Sequence, residues 1–106
     1  MTNLTKLEET VLLAIFRLGK DAYGVTIQNK IHEVGKGNLL YSTLYSALDQ
    51  LVRKNYLDKK PGDPTPQRGG KRKIYFSLTK AGQKALKASF LNHKTVWKGI
   101  TEESFD

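Results

Sequence analysis

Leu4, Leu7, Val11, Ile15 and Leu18 return every three or four residues, and Leu12, Ala14 and Phe16 widen the same stripe until Gly19 interrupts it. That spacing predicts a first amphipathic helix ending at the glycine. Ile27, Ile31 and Val34 repeat the spacing from about Ala22 and Tyr23, and Gly35 and Gly37 close this second helix. A short extended piece, Asn38 to Tyr41, leads to a third helix, with Ser42 as the expected N-cap and Leu44, Leu48, Leu51 and Val52 as its buried stripe. At about 100° per residue its opposite face collects Ser42, Ser46, Asp49, Gln50 and Arg53, with Thr43 and Tyr45 on the flanks.

Beyond the third helix the period changes from helical to alternating. Tyr56 to Lys60 and Lys71 to Leu78 are predicted strands, the second with Ile74, Phe76 and Leu78 on one face and Lys73, Tyr75 and Ser77 on the other. Pro61, Pro64, Pro66 and the pair Gly69-Gly70 mark the connection between them as an extended arm rather than a tight turn. Thr79 is the expected cap of a last helix with apolar positions Ala81, Ala85, Leu86, Phe90, Val96, Trp97 and Ile100. The fold class is therefore mainly α with a small β-hairpin: a winged helix-turn-helix with an additional C-terminal dimerisation helix. Residues 1–78 form the winged unit, and residues 79–106 form the last helix and an acidic tail, in one compact body.

Charge sharpens this picture. The formal net charge is +8 over 106 residues, and it is not evenly spread. Met1 to Val52 is neutral, whereas Arg53 to Lys98 holds thirteen bases against Asp58 and Asp63, a local +11 that Glu102, Glu103 and Asp106 partly offset. A localised positive field is the footprint of a nucleic-acid binder. The chain has no cysteine, so a disulfide framework, a thiolate metal site and a cysteine nucleophile are excluded. His32 and His93 are far apart, Glu8 and Glu9 point to different helix faces, and no metal-ligand spacing occurs, so neither an enzyme nor a cofactor is expected. With no run of about 18 apolar residues and no basic-then-apolar start, a soluble cytoplasmic protein is expected.

Within the basic half, Arg68, Lys71, Arg72 and Lys73 beside two glycines are suited to phosphate or minor-groove contact. Ser42, Thr43, Tyr45, Ser46 and Gln50 offer hydroxyls and an amide to phosphates or base edges. None is an Arg or Asn, so discrimination by this helix is expected to be modest and supplemented by DNA shape. Tyr23, at the start of the second helix, is placed either to clamp a phosphate or to pack, and Tyr41 is placed equally for core or contact. Leu4, Leu7 and Val11 with Leu86, Phe90, Trp97 and Ile100 are more apolar surface than two helices of a small monomer hide, which predicts a dimer interface that also takes in His93.

Three segments carry a family likeness: AYGVTIQNKI at Ala22 to Ile31, STLYSALDQLVRKNYL at Ser42 to Leu57, and RGGKRKIYFSLTKAGQKAL at Arg68 to Leu86. In order and over nearly the whole chain, they resemble the PadR family of bacterial transcriptional regulators, and the short C-terminus is similar to its smaller subfamily. The resemblance implies a homodimer made through the last helix, double-stranded operator DNA as partner, usually repression, and in some members an aromatic effector near the dimer interface. Small members often carry a Trp in the middle of the last helix; here His93 stands there and Trp97 follows one turn later. The rival readings are a winged-helix module that binds an acidic protein and a non-specific nucleic-acid binder.

Overall fold

In the computed structural model, which describes residues 4–34, 37–64 and 72–106, the elements run α1 (Lys6–Leu18), a 3-10 turn (Gly19–Asp21), α2 (Gly24–Glu33), α3 (Tyr41–Arg53), β1 (Leu57–Pro64), β2 (Arg72–Leu78), α4 (Lys80–Val96) and a terminal 3-10 turn (Glu102–Phe105). The three-helix, hairpin, helix order predicted from the pattern is the order observed.

α1 starts at a capping box. The Thr5 hydroxyl accepts the Glu8 N–H at 3.1 Å, while the Glu8 carboxylate accepts the Thr5 N–H at 2.9 Å, so two otherwise unpaired donors of the first turn are satisfied. α3 ends in a Schellman closure: Asn55, at φ 65°, donates to the Val52 carbonyl, and Tyr56 donates to that of Leu51. The chain thus leaves α3 directly into β1.

One core joins the helices to the base of the hairpin. Val11, Leu12 and Ile15 of α1, Ile27 and Ile31 of α2, and Leu44, Leu48 and Leu51 of α3 are buried against Leu57 of β1 and Phe76 of β2. Removing that apolar area from water is the main force holding the helices together. The link between α2 and α3 is held at Leu39, whose carbonyl accepts from the Gln28 amide at 2.9 Å and whose N–H donates to His32 Nε2 at 3.1 Å.

Several boundaries differ from the sequence reading. Leu40, not Ser42, occupies the N-cap of α3, and Ser42 lies exposed in its first turn, because the helix begins one residue before the serine. Gly35, expected to end α2, lies outside the described residues, and Val34 is the C-cap, exposed rather than buried. β1 extends to Pro64 instead of stopping at Lys60. It pairs only with β2, so prolines with no N–H to donate are tolerated there, and the register shifts between Pro61 and Pro64. α4 ends at Val96, which leaves Trp97 as its C-cap and Ile100 beyond the helix.

Thr79 caps α4 as expected, its hydroxyl accepting the Gly82 N–H at 2.9 Å. Its own N–H and hydroxyl donate to the carbonyls of Tyr56 and Asn55, which seats the start of α4 on the end of α3. The molecule is elongated, 54 × 28 × 21 Å, and its radius of gyration of 15.7 Å exceeds the about 13 Å of a compact chain this long.

Candidate nucleic-acid interface

Because α3 turns its leucines inward, its other face stands in solvent. Ser42, Thr43, Tyr45, Ser46, Asp49, Gln50 and Arg53 are all exposed, as the periodicity requires. The structure adds a contact that spacing alone does not show. The rings of Tyr41 and Tyr45 meet edge to face, with centroids 4.8 Å apart and hydroxyls 3.5 Å apart, and both hydroxyls lie over Gly24 in the first turn of α2. A β-carbon at Gly24 would overlap both of them, so the glycine is what lets the tyrosines approach the positive end of α2. Tyr41 is half-exposed and belongs to this surface. The sequence signal for it was Gly24 at a helix start combined with two tyrosines four residues apart.

Tyr23 precedes α2 and forms a single bridge with Tyr75 of β2, next to a 2.8 Å hydrogen bond from the Phe76 N–H to the Ala22 carbonyl. Its ring meets Tyr75 edge-on at 5.5 Å, and the Lys73 ammonium lies 4.4 Å from its centroid. Lys73 is thus brought beside the α2 start. Arg68 and Lys71 lie outside the described residues, and of Arg72 only the backbone, paired in β2, is described.

The residues expected to make an interface separate into two groups. Val11 is fully buried in the monomer and has no surface for a partner, while Leu4, Leu7 and Leu86 pack against the same core, because the 4, 7, 11, 15 stripe faces α2 and α3. Phe90, Trp97 and Ile100 are exposed by 58%, 52% and 45%. On α1 the exposed apolar residues are Leu13 and Phe16, on a second stripe shared with Glu9 that the sequence reading missed by merging Phe16 with the buried positions. Leu13 and Phe16 face Leu86 and Phe90 across an open groove of about 830 Å³ between α1 and α4, where His93 Nε2 is 3.4 Å from the Glu9 carboxylate. Lys80, Lys84 and Lys87 also line this groove, so part of the positive charge belongs there and not to the wing.

Among the described residues no group of three or more His, Asp or Glu side chains is placed to hold a metal ion, and no helix is long and apolar enough to cross a membrane.

The overall fold of helices and hairpin matches known proteins. The profile of the transcriptional regulator PadR-like family matches residues 11–88. The chain belongs to that family. As a PadR-like protein it is a DNA-binding transcriptional regulator. Solved PadR-like structures share its fold: a PadR family transcription regulator from a hypervirulent Clostridium difficile has a TM-score of 0.74 at 23% identity, covering 89% of this chain and 93% of that one. A PadR-like transcriptional regulator from Bacillus cereus gives 0.73 at 17% identity over 89% and 86%. A PadR-like transcription factor from Bacteroides fragilis gives 0.69 at 24% identity over 90% and 89%. No curated protein sequence matches the chain significantly.

Proposed function

We propose that this PadR-like chain is a cytoplasmic homodimeric repressor that reads a pseudo-palindromic operator, with two α3 helices in successive major grooves and two wings beside them. The observation that carries the reading is the polar face of α3, Ser42 to Gln50, exposed among the described residues and near the α2 start, where Lys73 lies over the Tyr23 ring. Thr43, Ser46 and Gln50 address base edges. Tyr41 and Tyr45 present hydroxyls to a phosphate at the α2 N-terminus, and Lys73, with Arg68, Lys71 and Arg72 on the wing, neutralises neighbouring phosphates.

Residues 79–106 assemble the dimer. The groove floored by Leu13, Phe16 and Phe90 is rimmed by Lys80, Lys84 and Lys87, and the same chain carries an apolar helix end, Val96 and Trp97, followed by Glu102, Glu103 and Asp106. The two surfaces complement each other in polarity and charge, as a two-fold interface demands. An apolar effector bound between the copies would alter the spacing of the reading helices and release the operator. Repression is the outcome of a dimer covering a promoter.

Footprinting of the duplex upstream of the chain's own gene tests this. Two protected half-sites about 10 base pairs apart are expected. Protection without phase, or of a single site, contradicts the dimeric reading.

A further inference from the structure

The hairpin is anchored at its base by Leu57 and Phe76, both buried in the core. One residue outward, Tyr75 points to the opposite face and makes two contacts of a different kind. Its ring edge lies where a β-carbon on Gly62 would come within 2.5 Å, so the ring lies against the bare backbone of β1. The same ring meets Tyr23 edge-on, at an interplanar angle of 68°. Tyr23 in turn carries Lys73 over its face. Backbone bonding runs through the same point, at the Tyr23 and Tyr75 bridge and the bond from Phe76 N–H to the Ala22 carbonyl.

We propose that Tyr23 and Tyr75 form a positioning clasp that sets the angle of the wing to the reading helices, so that Tyr23 acts on DNA through its ring, by way of the wing and Lys73, and not through its hydroxyl. This rests on the DNA-binding reading above and adds to it how the wing is aimed. A hairpin joined to the body only at its base would swing, and its cations would reach phosphates only part of the time. An edge-to-face pair is equivalent to about two- to tenfold in an equilibrium constant, enough to decide that occupancy. Gly62 is part of the device because any side chain there displaces the Tyr75 ring.

Anisotropy titrations with the upstream duplex over a salt series test the clasp, with circular dichroism melts to verify that each variant is folded. Tyr75→Ala and Gly62→Ala are expected to bind about two- to tenfold more weakly, and the slope of log affinity against log salt to become shallower by about one, the signature of a lost phosphate contact. Tyr75→Phe and Tyr23→Phe keep the rings and are expected to bind as wild type. Tyr23→Ala combined with Tyr75→Ala is expected to lose no more than either alone, since the two act as one unit. Should Tyr75→Ala not fold, Gly62→Ala and Tyr23→Phe still decide. Wild-type slope and affinity in the folded Ala variants overturn the clasp, as does a Tyr23→Phe loss equal to that of Tyr23→Ala, which would make the hydroxyl the contact. A wild-type protein that binds no duplex at low salt overturns the DNA reading itself, and the clasp with it.

Discussion

Glu8 shows how much one side chain can carry. It is 4% exposed and closes the α1 capping box, and both its oxygens accept from the Lys54 ammonium, at 2.9 and 3.0 Å. Burial pushes its carboxyl up, but the Thr5 N–H, the Lys54 ammonium and the Thr5 hydroxyl together outweigh it and hold the group below the usual carboxylate range. A carboxyl depressed in the folded state adds stability above its unfolded range and loses it as pH falls through the folded value. Urea unfolding should therefore show Glu8→Gln less stable than wild type by about 1–3 kcal/mol near pH 7, with the gap closing in acid. A pH-independent gap would contradict the ion pair. The cap half of this site carries a sequence signature, Thr5-x-x-Glu8, that the sequence reading did not use, whereas Lys54 has none, since nothing local links residues 46 apart. Gly82 is a second such residue: a β-carbon there would run into the Tyr56 carbonyl, which belongs to the backbone and cannot swing aside. Gly82→Ala is expected to destabilise by about 1–3 kcal/mol despite the better helix propensity of Ala, and a raised melting temperature would show that α4 does not sit on the α3 terminus.

At the scale of elements, helical periodicity identified the four α-helices, and alternation identified β2. It failed where one helix serves two surfaces. α1 buries Val11 and Ile15 toward α2 and α3 while offering Leu13 and Phe16 to the groove, and a reading that sought one broad stripe gave Phe16 to the core and Val11 to the interface. The distinction depends on where α4 packs, which is a tertiary fact. Exposed Phe90 of α4 and Trp97, its C-cap, remain the strongest interface candidates, with Phe105 held 6.3 Å from the Trp97 ring. Sedimentation of Trp97→Glu or Phe90→Glu should find monomers, with dimer dissociation raised about a hundredfold or more. An unchanged dimer would move the interface elsewhere. For α3 the exposed positions were legible from the period, while the N-cap and the Tyr41–Tyr45 contact were not, and Ser46→Ala or Gln50→Ala should change the ranking among duplex sequences while leaving binding to random DNA nearly unaltered.

Over the whole molecule, two surfaces of different character can be told apart. The start of α2, the face of α3 and Lys73 bring hydroxyls and a cation together, and the groove between α1 and α4 is apolar with a lysine rim. Composition correctly placed the excess charge in the second half of the chain. It could not divide that charge between wing and groove, because Lys80, Lys84 and Lys87 acquire their place only when α4 docks on α1. What the division implies is a salt response with two parts, one from phosphate contact and one from assembly. The measurement that tests the central claim most directly is an anisotropy titration of wild-type protein against the duplex upstream of its gene, with excess random duplex and varied salt. Binding that survives the competitor, saturates at two chains per duplex and weakens steeply with salt is the predicted result. Binding abolished by random duplex, or none at low salt, would contradict a sequence-reading regulator.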